Sequence, residues 1–267
     1  MSHQWIGPAG EDGTWPEDGL GDGSGDRSRA GGPRRARRRA LAVLGVLGEL
    51  LITLGLLLAL FATYSLWWTN VQADRTADRA SGALRDSWSA PPTGSADAPA
   101  APRVYAAGDG VGFLHVPAMG RDFQVLIRMG TDADTLAEGV AGVYETPYQA
   151  AMPWDQEGNF ALAAHRDGHG AKFHDLDAVA RGDAVVVETR DSWYVYRVDE
   201  TLPETSKYDT GVVAPVPQGS SYHSPGRYIT LTTCTPVYTS RYRMAVWGSL
   251  VRVDPVDAAR TPPPELR

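Results

Sequence analysis

YITLTTC, residues 228–234, is built from aromatic, aliphatic and β-branched side chains with no glycine or proline, so it reads as a strand ending at Cys234. Similar runs stand upstream: FQVLIR at 123–128, NFALAAH at 159–165 and DAVVVET at 183–189. The last of these and the segment after Arg190 and Asp191 form a predicted hairpin. Side chains alternate along a strand, which puts Tyr194, Tyr196 and Val198 on one face and Trp193, Val195 and Arg197 on the other. Helical signal is short here. TDADTLAEGV at 131–140 opens with capping residues and, like KFHDLDAVA at 172–180, lasts only about two turns. Between Val104 and Val253 these runs, broken by Gly, Pro and Asp, predict a mainly β domain of roughly 150 residues, a barrel or a sandwich.

The N-terminal third has a different texture. Residues 1–32 are rich in Gly, Asp and Ser and cannot bury enough apolar surface to offset the entropy of ordering, which predicts a disordered tail. Seven arginines follow between Arg27 and Arg39 with no acidic residue among them. From Ala40 to Trp68 the chain is almost wholly apolar, Glu49 being its one charge, and it is long enough to span a bilayer. Arginines on its N-terminal side predict a cytoplasmic N-terminus, with Tyr64, Trp67 and Trp68 in the outer interfacial belt. Glu49 reads as a tolerated polar residue near the inner leaflet or as a helix contact within the membrane. The predicted organisation is therefore a tail and Arg-rich segment at 1–39, a transmembrane helix at 40–68, a juxtamembrane stalk and Pro/Ala linker at 69–103, an extracytoplasmic domain at 104–255 and a flexible C-terminal tail at 256–267.

The composition narrows the chemistry. One cysteine among 267 residues excludes an internal disulfide and a multi-cysteine metal site, and a net charge of -7 argues against nucleic acid as a partner. Cys234 at a strand end is either an inert apolar residue or a nucleophile that draws a base from elsewhere in the chain. His165 closes its own predicted strand beside a Gly-rich loop and is the natural base; otherwise it is a surface histidine. Arg243 starts the next apolar run and can point back towards Cys234 across a hairpin, supplying fixed charge for a developing oxyanion. Arg241 is the fallback.

At these residues a resemblance becomes specific. TLTTC at 230–234 resembles the TLxTC signature of sortases, the bacterial cysteine transpeptidases, and NFALAAHR at 159–166 resembles their histidine segment. The likeness extends from about Gly112 to Val253, including the KFHDLDAVARGD passage, and TNVQAD after the tryptophans resembles actinobacterial class E members. It implies a closed barrel of about eight strands with short helices behind one transmembrane helix. It implies Cys234, His165 and Arg243 as catalytic residues, Thr233 facing the bound peptide, and no metal or organic cofactor. The implied partners are surface proteins bearing a sorting signal, an LAxTG motif in preference to LPxTG, and the amine of a peptidoglycan precursor such as lipid II, at the cell membrane. Two departures stand out: Ala164 replaces the usual glycine, adding a methyl group that narrows the site, and Thr235 follows the cysteine. LPETS at 202–206 looks like a sorting signal but lies mid-domain, and reads as a loop between strands. The competing readings are an L,D-transpeptidase, whose SHGC-type motif is absent around Cys234, and a membrane-anchored protein that only binds cell-wall peptides.

Overall fold

The computed structural model describes residues 32–89 and 105–267. Most of the predicted N-terminal tail and the Pro/Ala linker fall outside the described residues. The chain divides into two units, one ending at Leu57 and the other covering Leu58–Arg267. In the first, the described residues belong to helix α1, Gly32–Ser89, with Leu44, Leu47, Leu51 and Leu54 among its exposed side chains. The helix is long and apolar enough to cross a membrane by length and composition.

In the second unit α1 continues through the predicted stalk and lies against a barrel. Ala73 and Ala77 are buried, and Ala80, Leu84 and Trp88 pack on Phe113, Leu126 and Val140. Positions 73, 77, 80, 84 and 88 recur at helical spacing, so one face of a polar-looking segment is apolar and small enough to approach closely. The fit requires glycine at the contact: Gly139 has φ +73°, and a Cβ there would come within 3.2 Å of the Ala73 methyl. Polar ties flank it, with Gly170 N donating to Asn70 Oδ1 at 3.0 Å and Lys172 paired with Asp74 at 2.8 Å.

Eight strands make the barrel: β1 Gly110–His115, β2 Gln124–Met129, β3 Ala141–Val143, β4 Gly158–Ala163, β5 Ala184–Glu188, β6 Ser192–Ser206, β7 Arg227–Thr235 and β8 Tyr242–Pro255. They close in the order β1-β2-β3-β4-β7-β8-β6-β5, with β5 returning to β1. Closure leaves no open sheet edge. The pairs β2–β3 and β4–β7 are parallel and the others antiparallel. The alternation predicted for β6 holds: Tyr194, Tyr196 and Val198 enter the main core with Phe160, Leu162 and Leu231, while Trp193 and Val195 join a separate outer cluster.

Three readings need correction. LPETS is not a loop: it forms the last third of β6, where Leu202 pairs with Ala245 and Thr205 with Arg243. The long partner strand β8 supplies backbone hydrogen bonds that proline and a register shift interrupt without ending. KFHDLDAVA holds only a 3-10 turn, Leu176–Ala178. Residues 256–267 are not a loose tail: Val256 and Leu266 pack on the Val186, Trp193 and Val195 cluster, and Arg252 pairs with Glu265 at 2.8 Å. The other short helix, α2 (Ala133–Ala137), begins where Asp132 accepts a hydrogen bond from Thr135 N, as its capping residues predict.

Candidate active site

β7 lies between β4, its parallel neighbour, and β8, its antiparallel one. Parallel pairing brings the ends of β4 and β7 to the same rim of the barrel, so His165, just beyond β4, and Cys234, near the end of β7, emerge together. Both line one cavity of about 630 Å³. On the other side Cys234 pairs directly with Arg243 of β8. Directly opposed residues share a face of the sheet, with Cβ atoms about 5 Å apart. Arg243 donates through one guanidinium nitrogen to the carbonyls of Ser240 and Tyr242 at 3.2 and 3.0 Å, which leaves its other donors uncommitted among the described residues, and it stands beside the cavity lining and not in it. Arg241 precedes β8 and stacks its guanidinium over the Tyr242 ring at 5.0 Å, a surface position.

His165 is held by its backbone: its carbonyl accepts from Phe173 N at 2.9 Å, closing the loop that follows. Its ring lies 5.1 Å from the His169 ring. Burial, reinforced by the positive charge available to His169 and opposed by Asp167, pushes the imidazole below its ordinary value of 6.5. Among the described residues neither the His165 ring nor the Cys234 thiol makes a hydrogen bond, so both are available to a bound molecule.

Thr233 sits elsewhere. It is buried, and its hydroxyl donates to the Ala164 carbonyl at 2.8 Å, tying β7 to the residue before His165. The hydroxyl therefore positions the histidine segment instead of facing the cavity. The Ala164 methyl joins the main core and does not narrow the site. Thr235 is buried as well and accepts from Arg166, itself only 4% exposed and paired with Asp177 at 2.9 Å.

Three other contributors carry no signal in the sequence. Tyr144 follows β3 and its hydroxyl shares a 3.0 Å hydrogen bond with Thr232, two residues before the cysteine on the same face. Burial raises its pKa, Thr232 and Arg243 oppose the rise, and the charge of Cys234 adds to it. Ser65 and Thr69, from α1, line the cavity beside His165 and Cys234. Single polar residues in an apolar helix or a loop carry no pattern from which such a placement could be read.

A closed eight-strand β-barrel with a cysteine and a histidine at adjoining strand ends defines the sortase class. Residues 114–251 match the sortase domain family, and the chain belongs to that family, whose members are transpeptidase enzymes. Class E sortases are among its relatives. Sortase SrtE2 of Streptomyces coelicolor is 53% identical over 248 residues, covering 92% of this chain and 95% of that protein. The crystal structure of sortase E1 from Streptomyces coelicolor, with a tripeptide in its active site, superposes with a TM-score of 0.57 at 42% identity, covering 61% of this chain and 100% of that one. Sortase E from Streptomyces avermitilis gives 0.54 at 34% identity over the same shares.

Proposed function

We propose that the chain is a membrane-anchored transpeptidase that cleaves a C-terminal sorting motif between Thr and Gly and joins the freed carbonyl to a cell-wall precursor amine. The Cys234 thiolate attacks the Thr carbonyl, a C–S bond forms, and Arg243 holds the oxyanion. Collapse breaks the C–N bond, and protonated His165 gives its proton to the leaving Gly amine. The acceptor amine then attacks the thioacyl carbonyl, neutral His165 takes its proton, and the Cys234 thiolate departs. Thr233 acts as a positioning residue through Ala164. On this reading the motif is LAxTG in preference to LPxTG, as the class E resemblance implies, lipid II is the source of the amine, the apolar part of α1 is the anchor and the barrel lies outside the cell.

The observation that carries this reading is the juxtaposition of Cys234 with Arg243 on one sheet face and with His165 in one cavity. It favours chemistry over a purely binding barrel, because binding alone needs neither a thiol nor a histidine free of internal partners. Incubating the purified full chain with LAxTG and LPxTG peptides and an amine acceptor tests it. The expected product is the threonyl amide, formed faster from LAxTG. Cys234→Ala abolishes it while far-UV circular dichroism is unchanged; activity retained by that variant would refute the mechanism.

A further inference from the structure

We infer that the barrel end carrying Cys234 rests on the lipid headgroup surface, through the exposed rim formed by Lys207, Tyr208, Tyr238 and Arg241. The cavity then opens at headgroup depth. The inference rests on the membrane anchoring proposed above and adds where the barrel sits with respect to the bilayer.

Topology assembles the rim. Ser206 at the end of β6 and Thr235 at the end of β7 both pair with Tyr242 at the start of β8. The segment leaving β6 and the connection from β7 to β8 therefore emerge together, beside Cys234. The first carries Lys207 and Tyr208, the second Tyr238 and Arg241. Tyr208 is 79% exposed and Tyr238 84%, the most exposed large hydrophobic side chains among the described residues. Lys207 Nζ lies 5.1 Å over the Tyr208 ring, and Arg241 makes the similar contact with Tyr242. Of the neighbouring carboxylates, Asp167 accepts from Tyr238 N at 2.6 Å and the exposed Asp209 accepts from Thr205 Oγ1 at 2.7 Å, so each is engaged within the rim. Asp167 also fixes Tyr238 in a left-handed conformation, φ +65°, with its ring left in solvent. Exposed tyrosines beside lysine and arginine match the chemistry of the membrane interface, where the ring sits among headgroups and the cation meets phosphate.

Helix α1 makes an independent connection to the same surface. Tyr64, Trp67 and Trp68 form an exposed aromatic cluster, with ring centroids 6.0 to 6.5 Å apart. Within the same two turns, Ser65 and Thr69 line the cavity that holds Cys234. At 1.5 Å per residue, positions 64 to 69 span only about 8 Å along the helix, so the interfacial belt and the cavity share one depth. From Asn70 the helix runs along the barrel wall for roughly 27 Å to Trp88, whose ring lies 4.5 Å from the Arg260 guanidinium, so that end stands well clear of the headgroups. An acceptor amine carried on a lipid reaches such a cavity without leaving the bilayer surface.

The single cysteine allows a test that needs no catalysis. A thiol-reactive fluorophore is attached to Cys234 of the full chain in phosphatidylcholine–phosphatidylglycerol nanodiscs containing headgroup nitroxide lipid. The comparison is the same dye on Asp86→Cys in a Cys234→Ser background. Quenching about twofold stronger at Cys234 is expected from the separation along α1. Equal or weaker quenching there would overturn the inference. Replacing Lys207 and Tyr208 by serine should lower quenching at Cys234; unchanged quenching would remove the rim from the account. Neither readout depends on transpeptidation, so a failure here is distinguishable from a failure of the proposed function.

Discussion

At the Ser192 end of β6, Glu188 has a side chain only 3% exposed, and three cationic or ionisable partners converge on it: Arg85 of α1 at 3.2 Å, His115 of β1 at 3.1 Å and Arg260 of the C-terminal segment at 2.9 Å. At the Ser206 end, the Cys234 thiol and the His165 ring face a cavity with no internal partner among the described residues. Glu188 is a buried charge whose neighbours satisfy it, which ties three distant segments of chain together. Cys234 and His165 keep their bonding capacity for a substrate. The rim around them also holds His169 and Tyr238 at φ +47° and +65°, conformations that cost non-glycine residues on the order of 1 kcal/mol each. One end of the barrel spends its polar groups on stability and the other withholds them for chemistry.

Variants at the two ends should therefore fail in different ways. Arg243→Ala is expected to lower kcat by roughly 10² to 10³, as loss of one oxyanion donor does, with the melting temperature little changed; Arg243→Lys should restore part of the loss. Steady-state kinetics reads this, and an Ala variant with wild-type kcat would break the assignment. Glu188→Gln should do the reverse, costing about 3 kcal/mol in chemical denaturation by leaving Arg85 and Arg260 without their carboxylate, with kcat preserved where the protein remains folded.

The two ends also differ in their response to acid. Burial works to raise the Glu188 carboxyl, but its hydrogen bond with His115 and the charges of Arg85 and Arg260 outweigh it and hold the group below its ordinary 4.5. Its contribution to stability is thus complete above pH 4.5 and is lost as pH falls through the folded value, so Glu188→Gln should flatten the acid limb of the stability curve. His165 is depressed below 6.5, so it is mainly neutral at pH 7, and the cation needed for leaving-group protonation grows as pH falls. Its stability contribution has the same sign: present above 6.5 and lost as pH drops through the folded value. The smallest expected effect is that of His169→Asn, which removes a repelling charge and should move the His165 titration to higher pH, measurable by NMR. A shift to lower pH would contradict the coupling between the two rings.

Much of the Cys234 end was legible in the sequence. Alternation along β6 and the strand ends at His165 and Cys234 follow from residue type over five to nine positions, the range in which local pattern dominates. The Glu188 end was not. Its partners come from α1, β1 and the C-terminal segment, more than 70 residues apart in sequence for Arg85, His115 and Arg260 alike. Ala73, Ala77 and Ala80 look like an ordinary polar helix until Gly139 provides a surface to receive them. Thr233 was expected at the peptide because it adjoins the cysteine, yet period two turns it inward to Ala164. LPETS shows the same limit, since pairing with β8 overrides a proline that locally reads as a break.

The central claim is that Cys234 carries the acyl group. Intact-mass spectrometry of the full chain, incubated with sorting-motif peptide in the absence of an amine acceptor and digested for site mapping, tests it directly. The account predicts an adduct of the peptide portion ending in Thr, located on Cys234, discharged by added amine and absent from Cys234→Ala. Transfer without that adduct, or an adduct mapped to another residue, would contradict it.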